Sequence, residues 1–98
     1  MVGAIGTLGA QLDGFLRLVD SAAEGIGSER LVPARLLQNP LLELHTSAES
    51  VNRETTELVE KLLVNTTNRN LFRITELCAF VDVVRRASGL PDSLLAIA

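Results

Sequence analysis

Seven apolar residues at alternating steps of three and four open the chain: Ile5, Leu8, Leu12, Phe15, Val19, Ala22 and Ile26. That rhythm keeps side chains on one seam of an α-helix, whereas a strand returns to the same face every second residue. The pattern does not slip, so residues 4–27 are expected to form one amphipathic helix. Gln11, Arg17, Asp20, Ser21 and Glu24 fall off the seam, while Leu16, Leu18 and Ala23 broaden it. Gly25, Gly27 and Ser28 supply the stop. Gly3, Gly6, Gly9 and Gly14 weaken the first half, since an interior glycine costs about 1 kcal/mol relative to alanine. Those turns therefore need contacts from elsewhere. Gly3, Ala10 and Gly14 lie near one face, where another backbone can come close.

The same rhythm returns in Leu41, Leu44, Ala48, Val51, Thr55, Leu58 and Leu62, which predicts a second helix over residues 40–64. Asn39-Pro40 reads as its start, Asn as the cap and Pro at the first helical position. Glu49–Arg53 and Glu57–Lys61 have the spacing and order of favourable pairs on one helix face. Thr46 and Glu49 also have capping-box spacing, which would place a break near His45. Residues 29–38 form a connector, with a short helical turn at Pro33 using Ala34, Leu36 and Leu37. Residues 65–70 (Asn-Thr-Thr-Asn-Arg-Asn) read as a polar hinge, because such side chains compete for backbone hydrogen bonds. The alternative is one unbroken helix over residues 40–88. Asn65-Thr66-Thr67 matches a glycosylation pattern, taken here as a chance match.

Residues 71–88 predict a third helix. Leu71, Ile74, Leu77, Cys78, Val81 and Val84 make one face, and Phe72, Ala79, Phe80 and Val83 carry it nearly all round. Such a helix is central or covered by a partner. Gly89, Leu90 and Pro91 follow as a stop signal, and Arg85 and Arg86 complement the helix dipole in the last turn. Asp92 is placed to cap a final turn over residues 92–98. No segment alternates with period two, so no strand is expected. The fold expected is all-α: a single domain of residues 1–98, a three-helix up-down-up bundle with short connecting helices, assembling into a larger helical bundle.

Composition narrows the function classes. The 98 residues are 47% apolar with a net charge of −3, which excludes a disordered chain. No uncharged apolar run approaches the ~20 residues of a membrane span. The first dozen residues lack the basic-then-apolar layout of a secretory signal, and Cys78 is the single cysteine. A cytoplasmic or other reducing intracellular compartment is the expectation. The acidic balance and three aromatic residues argue against a nucleic-acid partner.

The candidates for chemistry are few. A di-metal carboxylate site in a bundle needs Glu-x-x-His pairs, and Glu43-Leu44-His45, holding the one histidine, has the wrong spacing. No metal or cofactor is expected. Cys78, between Leu77 and Ala79, reads as a buried small hydrophobe. Asp92-Ser93-Leu94 resembles the triplet at which carrier proteins receive a phosphopantetheine arm. Pro91 stands where that family has Gly, and an Asp cap ahead of an apolar turn explains the same letters. Helix two carries five Glu against Arg53 and Lys61, whereas residues 69–86 carry four Arg against Glu76 and Asp82. That opposition fits the two faces of a hairpin, or charge-steered pairing of two chains.

The function expected is a non-catalytic, helix-mediated protein–protein interaction or oligomerisation module. Three helices with this many apolar seams leave surface over for a second chain. The expected seam is Leu8, Leu12, Phe15, Val19, Leu41, Leu44, Val51 and Leu58, packing knobs-into-holes in a homodimer or hetero-oligomer. One alternative is an adaptor or chaperone whose groove takes an amphipathic peptide. Another is a small all-helical oligomeric enzyme binding an anion between helices through Arg17, Arg73 or Arg85.

Overall fold

The computed structural model describes residues 3–91. The turn expected over residues 92–98 lies outside the described residues. The described residues are mostly helical, with four α-helices among them rather than three: α1 (Ala4–Ala22), α2 (Gln38–Glu49), α3 (Arg53–Asn68) and α4 (Ile74–Ser88). Two three-residue strands, β1 (Leu31–Pro33) and β2 (Leu71–Arg73), pair antiparallel, with Val32 opposite Phe72. Single 3-10 turns occupy Gly27–Glu29 and Ala34–Leu36, the second where Pro33 suggested a short helix.

Cross-links tie each helix to its neighbours. Ser47 donates to the side-chain oxygen of Gln11 at 2.6 Å, joining α2 to α1. His45 and Glu60 face each other across α2 and α3 at 3.7 Å. The Asn52 amide donates to the Ala87 carbonyl at 2.9 Å, setting the start of α3 beside the end of α4. Leu90, just past α4, packs on Gly9 near the start of α1. α3 and α4, which also meet through Arg69 and Glu76, therefore run antiparallel, and α4 closes back on α1.

The helix expected over residues 40–64 is broken at Asn52. This residue is fully extended (φ −165°, ψ 169°), and its side chain accepts the Thr55 N–H at 2.8 Å. A capped start of this kind satisfies a donor that no helical carbonyl reaches. The break separates Glu49 from Arg53, so that pair does not form; Glu49 faces His45 at 3.5 Å and Arg53 faces Glu57 at 3.6 Å. Thr46 caps nothing, its hydroxyl donating back to the Leu42 carbonyl. At the start of α2 the cap position is Leu37, not Asn39. Pro40 then sits in the first turn, where its missing N–H costs no helical hydrogen bond.

Two further corrections concern the connectors. α1 stops at Ala22, not residue 27, because Glu24 leaves the helix to exchange backbone hydrogen bonds with Leu31 at 2.8 and 2.9 Å. Gly25 makes that turn at φ +128°, where a Cβ would lie 2.9 Å from the Glu29 carbonyl oxygen; only glycine fits. Ile26, the last residue of the expected seam, is left 87% exposed. The polar stretch 65–70 is partly helical: α3 runs to Asn68, and the hydroxyls of Thr66 and Thr67 satisfy the carbonyls of Leu63 and Val64. β2 then precedes α4, which rules out the unbroken helix over residues 40–88.

The end of α4 follows the expected stop signal. Gly89 is left-handed (φ +83°), Leu90 N–H bonds the Arg85 carbonyl at 2.8 Å and Gly89 N–H the Arg86 carbonyl at 3.3 Å. These are the two bonds of a Schellman motif.

The core is shared by all four helices and the ribbon. Leu8, Leu12, Phe15, Leu16 and Val19 of α1 meet Leu41, Leu44 and Ala48 of α2, Val59 of α3, and Leu77, Val81 and Val84 of α4. Val32 and Phe72, the central pair of the ribbon, are also buried and cap one end.

Candidate interaction surface

The structure places most of the expected contact seam inside the molecule. Leu8, Leu12, Val19 and Leu41 are 0% exposed, Leu44 1% and Phe15 2%; Val51 and Leu58 are half-buried against the same core. No second chain reaches the first six without opening the fold. The reason is the extra wall. The break at Asn52 turns one long helix into two, and the ribbon adds Val32 and Phe72, so the seams close on one another.

α4 presents a different apolar surface outward. Its inner face holds Ile74, Leu77, Val81, Val84 and Ser88. Its outer face carries Glu76, Ala79, Val83 and Arg86, all exposed. Between α3 and α4 lies a groove of about 240 Å³ lined by Leu58, Leu62, Ala79, Phe80 and Val83, with Lys61, Asn65 and Glu76 on its rim. Phe80 is held from behind by an edge-on contact with Phe15, the ring centroids 5.9 Å apart. On the other flank of α4, Gly27, Ser28, Thr75, Cys78 and Asp82 border a second hollow of about 390 Å³, which shares Ala79 with the first. The other large exposed aliphatic residues, such as Ile5, Leu42 and Val64, lie on other elements. In sequence, Ala79, Phe80 and Val83 stood out only as the residues that carried helix three's apolar character round its axis.

Charges frame this surface. Arg69 donates to Glu76 Oε2 at 2.8 Å, and the Arg73 backbone N–H donates to the same oxygen at 2.9 Å. The Arg69 hydrogen bond, helped by the Arg73 N–H and the two cationic side chains, holds the Glu76 carboxyl below its usual range. The Arg69 guanidinium also lies over the Phe72 ring, 4.3 Å from its centre. Cys78 is half-buried, packed against the core and bordering the second hollow. Burial, then Asp82 and Asp20, push its thiol up, away from the reactive thiolate.

The arginines considered for an anion site do not converge. Arg17 is exposed on α1, and Arg73 is exposed in β2. Arg85 is buried between α4 and α1, where its guanidinium pairs with the Asp13 carboxylate. His45 is flanked by Glu49 and Glu60 at 3.5 and 3.7 Å. Among the described residues no three His, Cys, Asp or Glu are grouped to hold a metal ion, and no helix is long and apolar enough to cross a membrane. No family model, curated protein or solved structure matches the chain.

Proposed function

We propose that this chain is a non-catalytic helix-mediated interaction module that binds another protein chain through the outer face of α4 and the α3–α4 groove. The observation that carries the reading is the apolar lining of that groove. Val83 is 42% exposed although it belongs to a helix whose opposite face is fully buried. Apolar side chains gathered in one hollow, with charges kept to the rim, suit an aliphatic helix laid into a groove. Relative to the sequence expectation, the mode of contact is kept and the residues change. Leu58 remains from the original seam, joined by Leu62, Ala79, Phe80 and Val83.

The test is site-specific photo-crosslinking in cells that express the chain. A photoreactive residue at position 83 is expected to give discrete protein adducts. The same residue at position 42, on an exposed Leu of α2, is expected to give none above background. Equal labelling from both positions contradicts the proposal.

A further inference from the structure

Building on the reading of the α4 face as an association surface, we propose that its partner is a second copy of this chain, with α4 packed antiparallel against α4 about a two-fold axis. The exposed stripe of α4 is self-complementary. Glu76, Ala79, Val83 and Arg86 follow one another at steps of three, four and three, the spacing of a helix–helix seam. The acid stands toward the N-terminal end, the base toward the C-terminal end, and the apolar pair between them. Two such helices laid antiparallel bring Glu76 level with Arg86 of the second copy, and Ala79 level with Val83, each twice. A two-fold interface requires this reciprocity, since each patch must complement itself. Parallel pairing would set Glu76 on Glu76 and Arg86 on Arg86, which like charges oppose.

The groups needed for this contact are available. Both contacts of Glu76 fall on Oε2, leaving Oε1 to accept from the arginine of the second copy. Arg86 is exposed and makes no ion pair among the described residues. Ala79 is small enough to let two helix axes approach closely. Phe80 already rests on Phe15, so little side-chain freedom is lost on contact. α3 runs antiparallel to α4, from Asn52 beside Ala87 to Arg69 beside Glu76. An interface built around one helix pair is small, so association in the micromolar range is expected.

Register-specific disulfide formation tests the proposal. In a Cys78→Ser background, Ala79→Cys and Val83→Cys chains are mixed at about 100 µM in a thiol redox buffer, a concentration suited to a weak interface. The mixed 79–83 disulfide is expected to exceed both same-position disulfides. Arg86→Glu should cut its yield about tenfold, and mixing an Arg86→Glu chain with a Glu76→Arg chain should restore it, because the opposed charges are matched again. Predominant 79–79 and 83–83 disulfides, or cross-linking no faster than from a Leu42→Cys control, would overturn self-pairing. In that event, photo-adducts from position 83 on a different protein leave the interaction reading standing; the absence of any adduct removes both.

Discussion

Leu12→Ala is expected to lower the unfolding free energy by about 3 kcal/mol. For a domain of this size that is roughly 15 °C in melting temperature. Leu12 is fully buried within a core shared by all four helices. Truncation removes its transfer free energy and leaves a hole that helices cross-linked at Gln11–Ser47 and Asn52–Ala87 cannot collapse to fill. Total stability of small domains is itself only about 5–15 kcal/mol, so the variant approaches the limit of folding. Leu42→Ala, at a residue 56% exposed on α2, is expected to change stability by less than about 0.5 kcal/mol. Thermal melts followed by circular dichroism separate the two. Were Leu12 an intermolecular contact, its truncation would weaken association and spare the monomer.

The second large effect is expected at Asp13. Arg85 is 5% exposed, and its guanidinium has three acceptors: the Asp13 carboxylate, the Pro91 carbonyl at 3.2 Å and the Gly9 carbonyl at 3.5 Å. Its Nε is buried with no hydrogen-bond partner among the described residues. Asp13→Ala strips the counter-charge from this group and leaves a cation inside the fold. For a fully buried pair the cost of such a step is about 3–5 kcal/mol. The Asp13 side chain is 38% exposed, so solvent screens the pair and about 2 kcal/mol is expected. Adding Arg85→Met should recover most of the loss, because an apolar side chain of similar length carries no desolvation penalty. Urea denaturation of the single and double variants checks this. A single variant as stable as the original chain contradicts it, as does a double variant that falls further.

Much of the fold was legible because several signals are local. The seam of α1 needed only its own apolar spacing, and the end of α4 only Gly89, Leu90 and Pro91. The break at Asn52 was not legible, since the apolar rhythm of residues 41–62 runs through it. What fixes Asn52 is partly a distant contact, the Ala87 carbonyl, which no local window contains. Beyond the break the buried positions become Thr55, Val59 and Thr66, and Leu58 and Leu62 turn out toward the groove. The ribbon was hidden for a related reason. Three residues per strand give a single alternation, and Val32 and Phe72 can be paired only by knowing that the chain returns. The candidate surface was visible in outline, as an apolar helix with too many faces. Which face stays exposed depends on where the other three helices lie.

The most direct measurement is equilibrium unfolding in urea at two chain concentrations tenfold apart, both well below the micromolar range in which α4 pairing sets in. A core closed within one chain predicts the same midpoint at both concentrations, because folding does not wait for a partner. A drop of about 1.4 kcal/mol in apparent stability at the lower concentration is the signature of an obligate dimer. That result would return the Leu8–Leu12–Phe15–Val19 seam to the interface and contradict the account.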